Sequence, residues 1–215
     1  MRWSGRFLPD MSRIHWRSVV DLLLLAIFFI LARTPAQSEI MKLETTLEVL
    51  NEMESAKVIS KYAIGGAVAA FFYIEPGTTF DLDVFIAWEP APGSLLLSNA
   101  EIFDYLFKRG YTQLEREAIV IAGWAVQFLP TGNHLLKEAL EQAVPFEVGG
   151  VPTRIFTQEH LMAVCLDVGR PKDLARLLQF IDEGDPDLNR FKEILARYKL
   201  SDKYGEFEKR FLSSL

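Results

Sequence analysis

The stretch from Tyr62 to Trp88, YAIGGAVAAFFYIEPGTTFDLDVFIAW, decides the fold class of this chain. It predicts a strand, a stop at Gly65-Gly66, a short apolar helix, a turn, and a second strand that begins at Asp81. Residues two apart on a strand face the same side of a sheet, so Asp81 and Asp83 project together while the alternate apolar residues face the core. The stretch therefore predicts a strand–helix–strand unit that carries two neighbouring carboxylates.

Asp81 and Asp83 are like charges, and such a pair is held ionised by a cation unless one carboxylate stays protonated. Oxygen ligands on a rigid strand suit Mg²⁺, which keeps several waters and also takes substrate phosphates. Gly65-Gly66 lies at a strand-to-helix junction, where free backbone amides attract phosphate. Together these features predict a metal–triphosphate site. The structural alternatives are a solvated strand end for the carboxylates and a simple turn for the glycines.

Helices and short strands alternate along the rest of the chain. The predicted helices cover Met41–Ser55, Ala67–Tyr73, Ser98–Arg109 and His134–Ala143, and the predicted strands cover Val58–Ile64, Asp81–Trp88, Glu117–Ile121, Ala125–Leu129 and a pair within Phe146–Phe156. From Thr157 the chain is expected to be helical, with breaks at Gly169, at Gly184–Pro186 and near Ser201. The expected fold class is α/β (α+β): a small mixed β-sheet with flanking helices and a C-terminal helical region.

The composition is that of an ordinary folded protein: 215 residues, 50% hydrophobic and 24% charged, with a net charge of −6. Disorder, collagen and coiled coil are excluded, and one catalytic-size unit is expected at this length. We expect an N-terminal extension over residues 1–40, a core over 41–156 and the helical region over 157–215. Cys165 is the only cysteine, which excludes an internal disulfide and a cysteine-built metal centre and favours a reducing compartment.

The N-terminal extension differs from the rest of the chain. Up to Gln37 it carries five arginines and two aspartates, a net charge of +3. Its segment Leu22–Ala32, LLLLAIFFILA, is too short for a membrane helix of about 20 residues, but a signal-peptide core needs only ~7–15, so export or a short anchor stays open. We favour translation from Met41 and a cytoplasmic protein, because the predicted chemistry needs intracellular nucleotides. Membrane contact is expected only if residues 19–33 are retained as an anchor.

The joint pattern of strand, Gly65-Gly66, short helix, turn and Thr79-Phe80-Asp81-Leu82-Asp83 resembles the DNA-polymerase-β-like nucleotidyltransferase superfamily. The motif of that superfamily is Gly-Gly or Gly-Ser followed by Asp-x-Asp on the next strand. Three later segments look like the abortive-infection-type toxin nucleotidyltransferases: Ala125–Pro130, Glu138-Ala139 and Gly169–Asp173. The resemblance covers most of the chain from Met41 to about Ile181.

The resemblance implies a Mg²⁺-dependent transfer of a nucleoside monophosphate from a nucleoside triphosphate to an acceptor hydroxyl of RNA, protein or a small molecule. It implies that Asp81 and Asp83 are catalytic and hold the Mg²⁺. It also implies that Gly65-Gly66 and Thr79 contact the nucleotide, and that Lys172 completes the charge clamp on its phosphates. Candidate partners are tRNA or a protein as acceptor, and an antitoxin.

One position departs from the pattern of the superfamily, which usually places a third carboxylate on a neighbouring strand as metal ligand and base. The matching position here is Gln127, and glutamine cannot accept a proton. Glu115 or Glu117 on the preceding strand would have to substitute, or the acceptor would lose its proton to water. The alternative function is therefore a non-catalytic nucleotide-binding or toxin–antitoxin partner module.

Other polar residues have structural explanations. Arg170 and Lys172 fit a solvated helix face as well as a charge clamp, and Asp173 either orients Lys172 or stabilises the first turn of its helix. His134 and His160 lie near predicted helix starts, where we expect caps or packing contacts rather than metal ligands. The basic residues of the last helices are expected on solvated faces, and contact with tRNA is the less favoured interpretation.

Overall fold

The computed structural model describes residues 35–77, 79, 81–87 and 100–212, with side chains from residue 42 onward. The apolar segment Leu22–Ala32, Phe80 and the predicted helix start at Ser98-Asn99 lie outside the described residues. One compact unit, Lys42–Leu215, contains the sheet. Within the described ranges we find no helix with the length and hydropathy of a membrane span.

Seven strands form one mixed sheet in the described part of the chain. They are β1 (Tyr62–Ile64), β2 (Asp81–Ile86), β3 (Leu114–Glu115), β4 (Ala118–Ile121), β5 (Trp124–Pro130), β6 (Val144–Val148) and β7 (Val151–Ile155). Their spatial order is β3-β4-β5-β2-β1-β7-β6, with β2 parallel to β5, β1 parallel to β7, and the other pairs antiparallel. β2 is therefore central and paired on both sides. This pairing fixes the face of the sheet on which each of its alternating side chains lies.

Eight α-helices flank the sheet or follow it within the described residues. They are α1 (Pro35–Ser55), α2 (Gly66–Ala70), α3 (Ala100–Lys108), α4 (His134–Glu141), α5 (Gln158–Val168), α6 (Pro171–Glu183), α7 (Leu188–Arg197) and α8 (Ser201–Phe207), followed by a π-helical turn at Glu208–Leu212. Thr157 caps α5, Gly169 ends it with φ +70°, and Pro171 starts α6. These local residues set the breaks of the C-terminal helical region.

Helix α1 packs on the sheet face that carries Leu82 and Val84. Tyr62 lies on that face, because β1 and β2 pair Ile64 with Val84, and its hydroxyl donates to Asn51 of α1 at 2.7 Å. Leu82 and Val84 are fully buried. Asp81 and Asp83 alternate with them and therefore lie on the opposite face, away from α1.

The α/β (α+β) fold class predicted from the sequence is confirmed, and several element boundaries are corrected. The strand predicted from Val58 begins only at Tyr62, because the backbone N–H groups of Val58 and Ile59 bond back to the carbonyl of Met53 and close α1. Helix α1 begins at Pro35 rather than Met41, and β3 was not predicted. The division into residues 41–156 and 157–215 stays a prediction.

Candidate functional site

Strand β2 presents the two carboxylates of the candidate site. Asp81 is its first residue and is exposed, whereas Asp83 is half-buried. The side chain of Thr79 precedes them, and its Oγ1 donates to the carbonyl of Asp81 at 3.4 Å. The predicted pairing of Asp81 and Asp83 on one face therefore follows from the alternation of a strand whose other face is buried.

Gly66 lies directly against the Asp83 carboxylate. A Cβ atom at position 66 would be 1.8 Å from Asp83 Oδ2, and Gly66 has φ +59°, a conformation that favours glycine. Gly65 is packed against Phe85, and its N–H donates to the Asp83 carbonyl at 3.0 Å. The amide of Gly65 is thus engaged within the sheet, while the absence of a side chain at Gly66 lets the Asp83 carboxylate lie against the backbone.

Positive side chains at the start of α6 act on Asp83. Burial, followed by the charge of Asp81, raises the pKa of Asp83; the charges of Arg176, Lys172 and Arg170 act in the opposite direction. The structure therefore brings Asp81, Asp83 and Lys172 into one electrostatic neighbourhood, although Lys172 follows the two acids by about 90 residues in the sequence. It is a mixed site: two acids on β2, and three cationic side chains of which Arg170 caps α6 and Lys172 and Arg176 lie on it.

Asp173 is paired with Arg170 rather than with Lys172. Arg170 Nε donates to Asp173 Oδ2 at 2.6 Å and its Nη2 donates to Oδ1 at 3.2 Å, a two-pronged ion pair on a carboxylate that is only 4% exposed as a residue. Lys172 is exposed and makes no ion pair within the described residues. Its charge is therefore available to a ligand at this site.

Arg176 was missed by sequence reasoning. It follows Lys172 by four residues, so the two lie on one face of α6. This spacing is the sequence signal from which Arg176 could have been identified. Burial raises the pKa of the Cys165 thiol to about 11, and a hydrogen bond with Arg176 acts against that rise. Cys165 is thus a buried thiol that stays protonated near neutral pH.

Gln127 of β5 is the register partner of Asp83 on the neighbouring strand, so the two side chains share a face. Glu115 lies in the same lateral row, but three strand spacings away, about 14 Å from β2. Glu117 is not on a strand: it lies in the turn between β3 and β4, next to Arg116 with φ +57°. Neither glutamate occupies the position next to Asp83, which corrects the expectation that one of them substitutes for Gln127.

The donor set beside Gly66 fits Mg²⁺. Asp81 and Asp83 offer carboxylate oxygens, and the amide oxygen of Gln127 is the next oxygen in register. No group of three histidine, cysteine, aspartate or glutamate side chains that could hold a metal ion occurs in the described part of the chain. An ion held by two carboxylates would need waters or substrate oxygens for its remaining ligands, which is the coordination that Mg²⁺ adopts with phosphates.

Both histidines named from the sequence have structural surroundings. His134 is the exposed first residue of α4, and the cap of that helix is Asn133, whose side chain accepts from the N–H of Leu136 at 2.8 Å. His160 is fully buried in α5. Neither belongs to the site around Asp83.

No protein-family model and no curated protein matches the chain. The solved structures similar to it include a crystal structure of an antigenic nucleotidyltransferase-like protein from Paracoccidioides brasiliensis, with a TM-score of 0.47, 14% identity, and coverage of 75% of this chain and 91% of that one. The solution structure of the antibiotic-resistance factor ANT(2'')-Ia has a TM-score of 0.42 and 13% identity, and covers 81% of this chain and 96% of its own. A crystal structure of ANT(2'')-Ia in complex with adenylyl-2''-tobramycin has a TM-score of 0.38 and 13% identity. The match covers 78% of this chain and 99% of that one. At these scores the likeness is one of general fold.

Proposed function

We propose that this chain is a nucleotidyltransferase, which moves a nucleoside monophosphate from a nucleoside triphosphate to an acceptor. The observation that carries the proposal is the position of Asp83. Its half-buried carboxylate lies against Gly66, beside Asp81, and within the field of Lys172 and Arg176 on α6. Neither acid forms an ion pair with the described residues, and adjacent acids within the field of cations suit a metal–triphosphate ligand better than a structural ion pair.

Each residue has a role in this proposal. Asp81 and Asp83 would hold the Mg²⁺, which when bound supplies positive charge to the phosphate oxygens. Gly66 lets the Asp83 carboxylate keep its position, since a Cβ at residue 66 would clash with Oδ2. Lys172 and Arg176 would bind the phosphates and offset the negative charge that grows on them as the acceptor attacks in line.

The second candidate function is a nucleotide-binding module without turnover, of the kind that serves as a toxin–antitoxin partner. It is favoured by Gln127, which occupies the register position next to Asp83 and cannot act as a base. The abortive-infection-type resemblance, a tRNA or protein acceptor and an antitoxin partner belong to these proposals. The two candidates differ in one measurable property, which is transfer of the nucleotide.

The test uses the full chain with Mg²⁺ and the four nucleoside triphosphates, each labelled on the α-phosphate. We expect Mg²⁺-dependent binding by calorimetry and transfer of label to an acceptor in a mixture of total RNA, protein and small metabolites. Asp83→Asn should reduce transfer at least ~100-fold, and Lys172→Met should weaken triphosphate binding. Asp104→Asn, on the exposed face of α3, is the matched control and should behave as wild type.

Two results would decide against catalysis. Binding that requires Mg²⁺ but gives no transfer to any acceptor would favour the non-catalytic module. If wild type binds no triphosphate with or without Mg²⁺, both candidates are wrong and the acids of β2 are structural.

A further inference from the structure

The face of α6 that carries Lys172 and Arg176 continues with two more polar residues, Gln179 and Glu183. Each follows the previous one by three or four residues, so all four lie along one side of the helix. Gln179 and Glu183 both contact the backbone of Glu75, which lies between α2 and β2. These contacts place this face of α6 beside the chain that leads into β2.

Both backbone polar groups of Glu75 are bound by side chains of α6. The Glu75 N–H donates to Glu183 Oε2 at 2.9 Å, and Gln179 Nε2 donates to the Glu75 carbonyl at 3.1 Å. Gln179 Nε2 also donates to Glu183 Oε2 at 3.0 Å, so the two side chains hold each other in place. These three hydrogen bonds are called the Glu75 bridge.

Burial does not hold the chain around Glu75 in place. Glu75, Pro76 and Gly77 are exposed, and a Cβ atom at Gly77 would have no neighbour within 4 Å. Helix α6, by contrast, is anchored in the fold, because its Leu177 and Phe180 are fully buried. The Glu75 bridge therefore ties an exposed stretch of chain to a well-anchored helix.

The position of Asp81 depends on this stretch more than that of Asp83 does. The pairing of β1 with β2 ends at Val84, and the Gly65 N–H adds a bond to the Asp83 carbonyl. Asp81 lies beyond these contacts, with a register partner on β5 and none on β1. The chain that enters β2 from Glu75, six residues earlier, therefore helps to set where the Asp81 carboxylate lies.

We infer that Gln179 and Glu183 are positioning residues for the metal site, because the Glu75 bridge keeps Asp81 at a fixed place relative to Asp83. This inference rests on the proposed nucleotidyltransferase function. An ion shared by two carboxylates needs both at a fixed separation, and the groups that hold metal ligands in place contribute about 10–100-fold to metal affinity. The helix that carries the cationic side chains thus also sets the position of one metal-binding acid.

The experiment measures metal binding without nucleotide. The full chain is titrated with Mn²⁺ in place of Mg²⁺, and the electron paramagnetic resonance signal of the free ion gives the Kd. Gln179→Ala and Glu183→Ala should each raise this Kd about 10-fold or more. The Mg²⁺ concentration that gives half-maximal nucleotidyl transfer should rise by a similar factor. Wild-type Mn²⁺ affinity in both variants would overturn the inference.

Two further variants separate the hydrogen bonds of the Glu75 bridge from the charge of Glu183. Glu183 accepts both of its bonds on the Oε2 oxygen, which the carbonyl oxygen of a glutamine replaces, so Glu183→Gln should keep the wild-type Kd for Mn²⁺. Asp182→Ala removes an exposed carboxylate from the same turn of α6 and should also behave as wild type. Weaker Mn²⁺ binding in either variant, equal to that of Glu183→Ala, would show that charge and not the bridge is responsible, and would overturn the inference.

Thermal melts of the metal-free proteins test for a purely structural role. Because the bridge is exposed, Gln179→Ala and Glu183→Ala should keep the cooperative unfolding and the near-ultraviolet circular dichroism of wild type. A Tm that falls in step with Mn²⁺ affinity across all four variants would identify a structural contact and overturn the inference.

The wild-type measurements distinguish failure of this inference from failure of the proposed function. A wild type that binds Mn²⁺ and transfers nucleotide, with alanine variants that do both equally well, would overturn the role of the bridge alone. Weaker Mn²⁺ binding in the alanine variants of a wild type that transfers nothing would support the bridge and favour the module without turnover. A wild type that binds neither Mn²⁺ nor triphosphate would overturn both.

Discussion

Gly66 is the residue at which backbone conformation and site chemistry meet. Its φ of +59° favours glycine. Its backbone lies so close to the Asp83 carboxylate that a Cβ at this position would be 1.8 Å from Oδ2. The sequence indicated a glycine pair at a strand-to-helix junction. The structure assigns different contacts to the two: Gly65 packs on Phe85, and Gly66 borders the site.

We predict that Gly66→Ala destabilises the fold and disables the site. The left-handed backbone costs a residue with a Cβ roughly 1–2 kcal/mol, and the Asp83 side chain must move away from the new methyl group. Chemical denaturation measures the first effect, and Mg²⁺-dependent triphosphate binding measures the second. Gly132→Ala is the matched control, because no atom lies within 4 Å of a Cβ at that position. If Gly132→Ala loses as much stability as Gly66→Ala, the close approach between Gly66 and Asp83 does not cause the loss.

Asp83→Asn should leave the metal-free protein as stable as wild type or slightly more stable. Burial and the charge of Asp81 both disfavour the ionised Asp83 carboxylate, so removing that charge relieves the folded state. Thermal melts without divalent ions measure this, and Mg²⁺ plus triphosphate should raise the Tm of wild type but not of the variant. A variant that melts clearly lower than wild type without metal would mean that Asp83 is a structural carboxylate.

At the scale of elements, a polar cluster centred on the partly buried Glu138 joins α4, α5 and α7. Glu138 of α4 accepts from the Tyr198 hydroxyl at 2.5 Å and from Arg197, and lies 3.3 Å from His160 Nε2. His160 Nδ1 in turn lies 2.9 Å from Thr157 Oγ1. Burial acts to raise the pKa of Glu138, but the hydrogen bonds of Tyr198, Arg197 and His160 outweigh it and hold that pKa below its usual value. Arg197 is thus a contact residue and not merely part of a solvated basic face.

Glu138→Gln should cost about 1–3 kcal/mol of stability, because the amide cannot accept from the tyrosine, the arginine and the histidine at once. Urea denaturation measures the cost. Glu141→Gln is the matched control, an exposed glutamate on the same helix, and should change stability by less than about 0.5 kcal/mol. Equal losses in both variants would show that helix α4, and not the cluster, responds to the substitution.

His160 should make the fold sensitive to mild acid. Burial lowers the pKa of His160 below 6.5, against the opposing effect of Glu138. The unfolded chain therefore takes up this proton first as pH falls, so stability that is present above about pH 6.5 is lost below it, by at most ~1.4 kcal/mol per pH unit. The other charged groups that act on His160 are Arg190 and Glu159.

Urea midpoints at about pH 7.5 and about pH 5.5 measure this loss for wild type and for His160→Gln. The variant should lose less stability between the two pH values than wild type does. His134→Gln, at the exposed start of α4, should keep the wild-type acid sensitivity. If His160→Gln keeps it as well, other groups carry the acid response.

At the scale of the whole molecule, α1 is the element that covers the face of the sheet opposite the site. Its side chains bond to β4 and β7, the strands next to the two edges of the sheet: Thr46 Oγ1 donates to the carbonyl of Ile121 at 2.9 Å, Asn51 donates to the carbonyl of Pro152 at 2.8 Å, and Glu54 pairs with Arg154 at 2.5 Å. Buried Leu47, Leu50 and Met53 fill the space between. These anchors all lie after Met41.

A chain that begins at Met41 should therefore fold, with a free energy of unfolding within about 1 kcal/mol of the full chain. Lys42–Leu215 forms one compact unit that contains these anchors, so the sheet keeps its cover. Cooperative thermal unfolding and near-ultraviolet circular dichroism of both chains measure this. Loss of cooperative unfolding in the shorter chain would show that residues before Met41 contribute to the core.

Local patterns were enough to predict much of the fold. The alternation of Asp81 and Asp83 with apolar residues, the cap at Thr157 and the break at Gly169 all depend on neighbours in sequence. Turns at Gly123 and at Gly149-Gly150 were predicted for the same reason, and the hairpins form there. Short-range conformational preferences act within a few residues, so the sequence shows them directly.

Only the tertiary structure decided how distant residues meet. The pairing of Asp83 with Gln127 and the remoteness of Glu115 depend on the strand order β3-β4-β5-β2. The effect of Lys172 and Arg176 on Asp83 depends on the position of α6, which packs against α5. Strand register and helix packing are set by the whole buried surface and not by any single segment. The two acids of the site could therefore be identified from the sequence, whereas the fold determined which cationic side chains and which amide surround them.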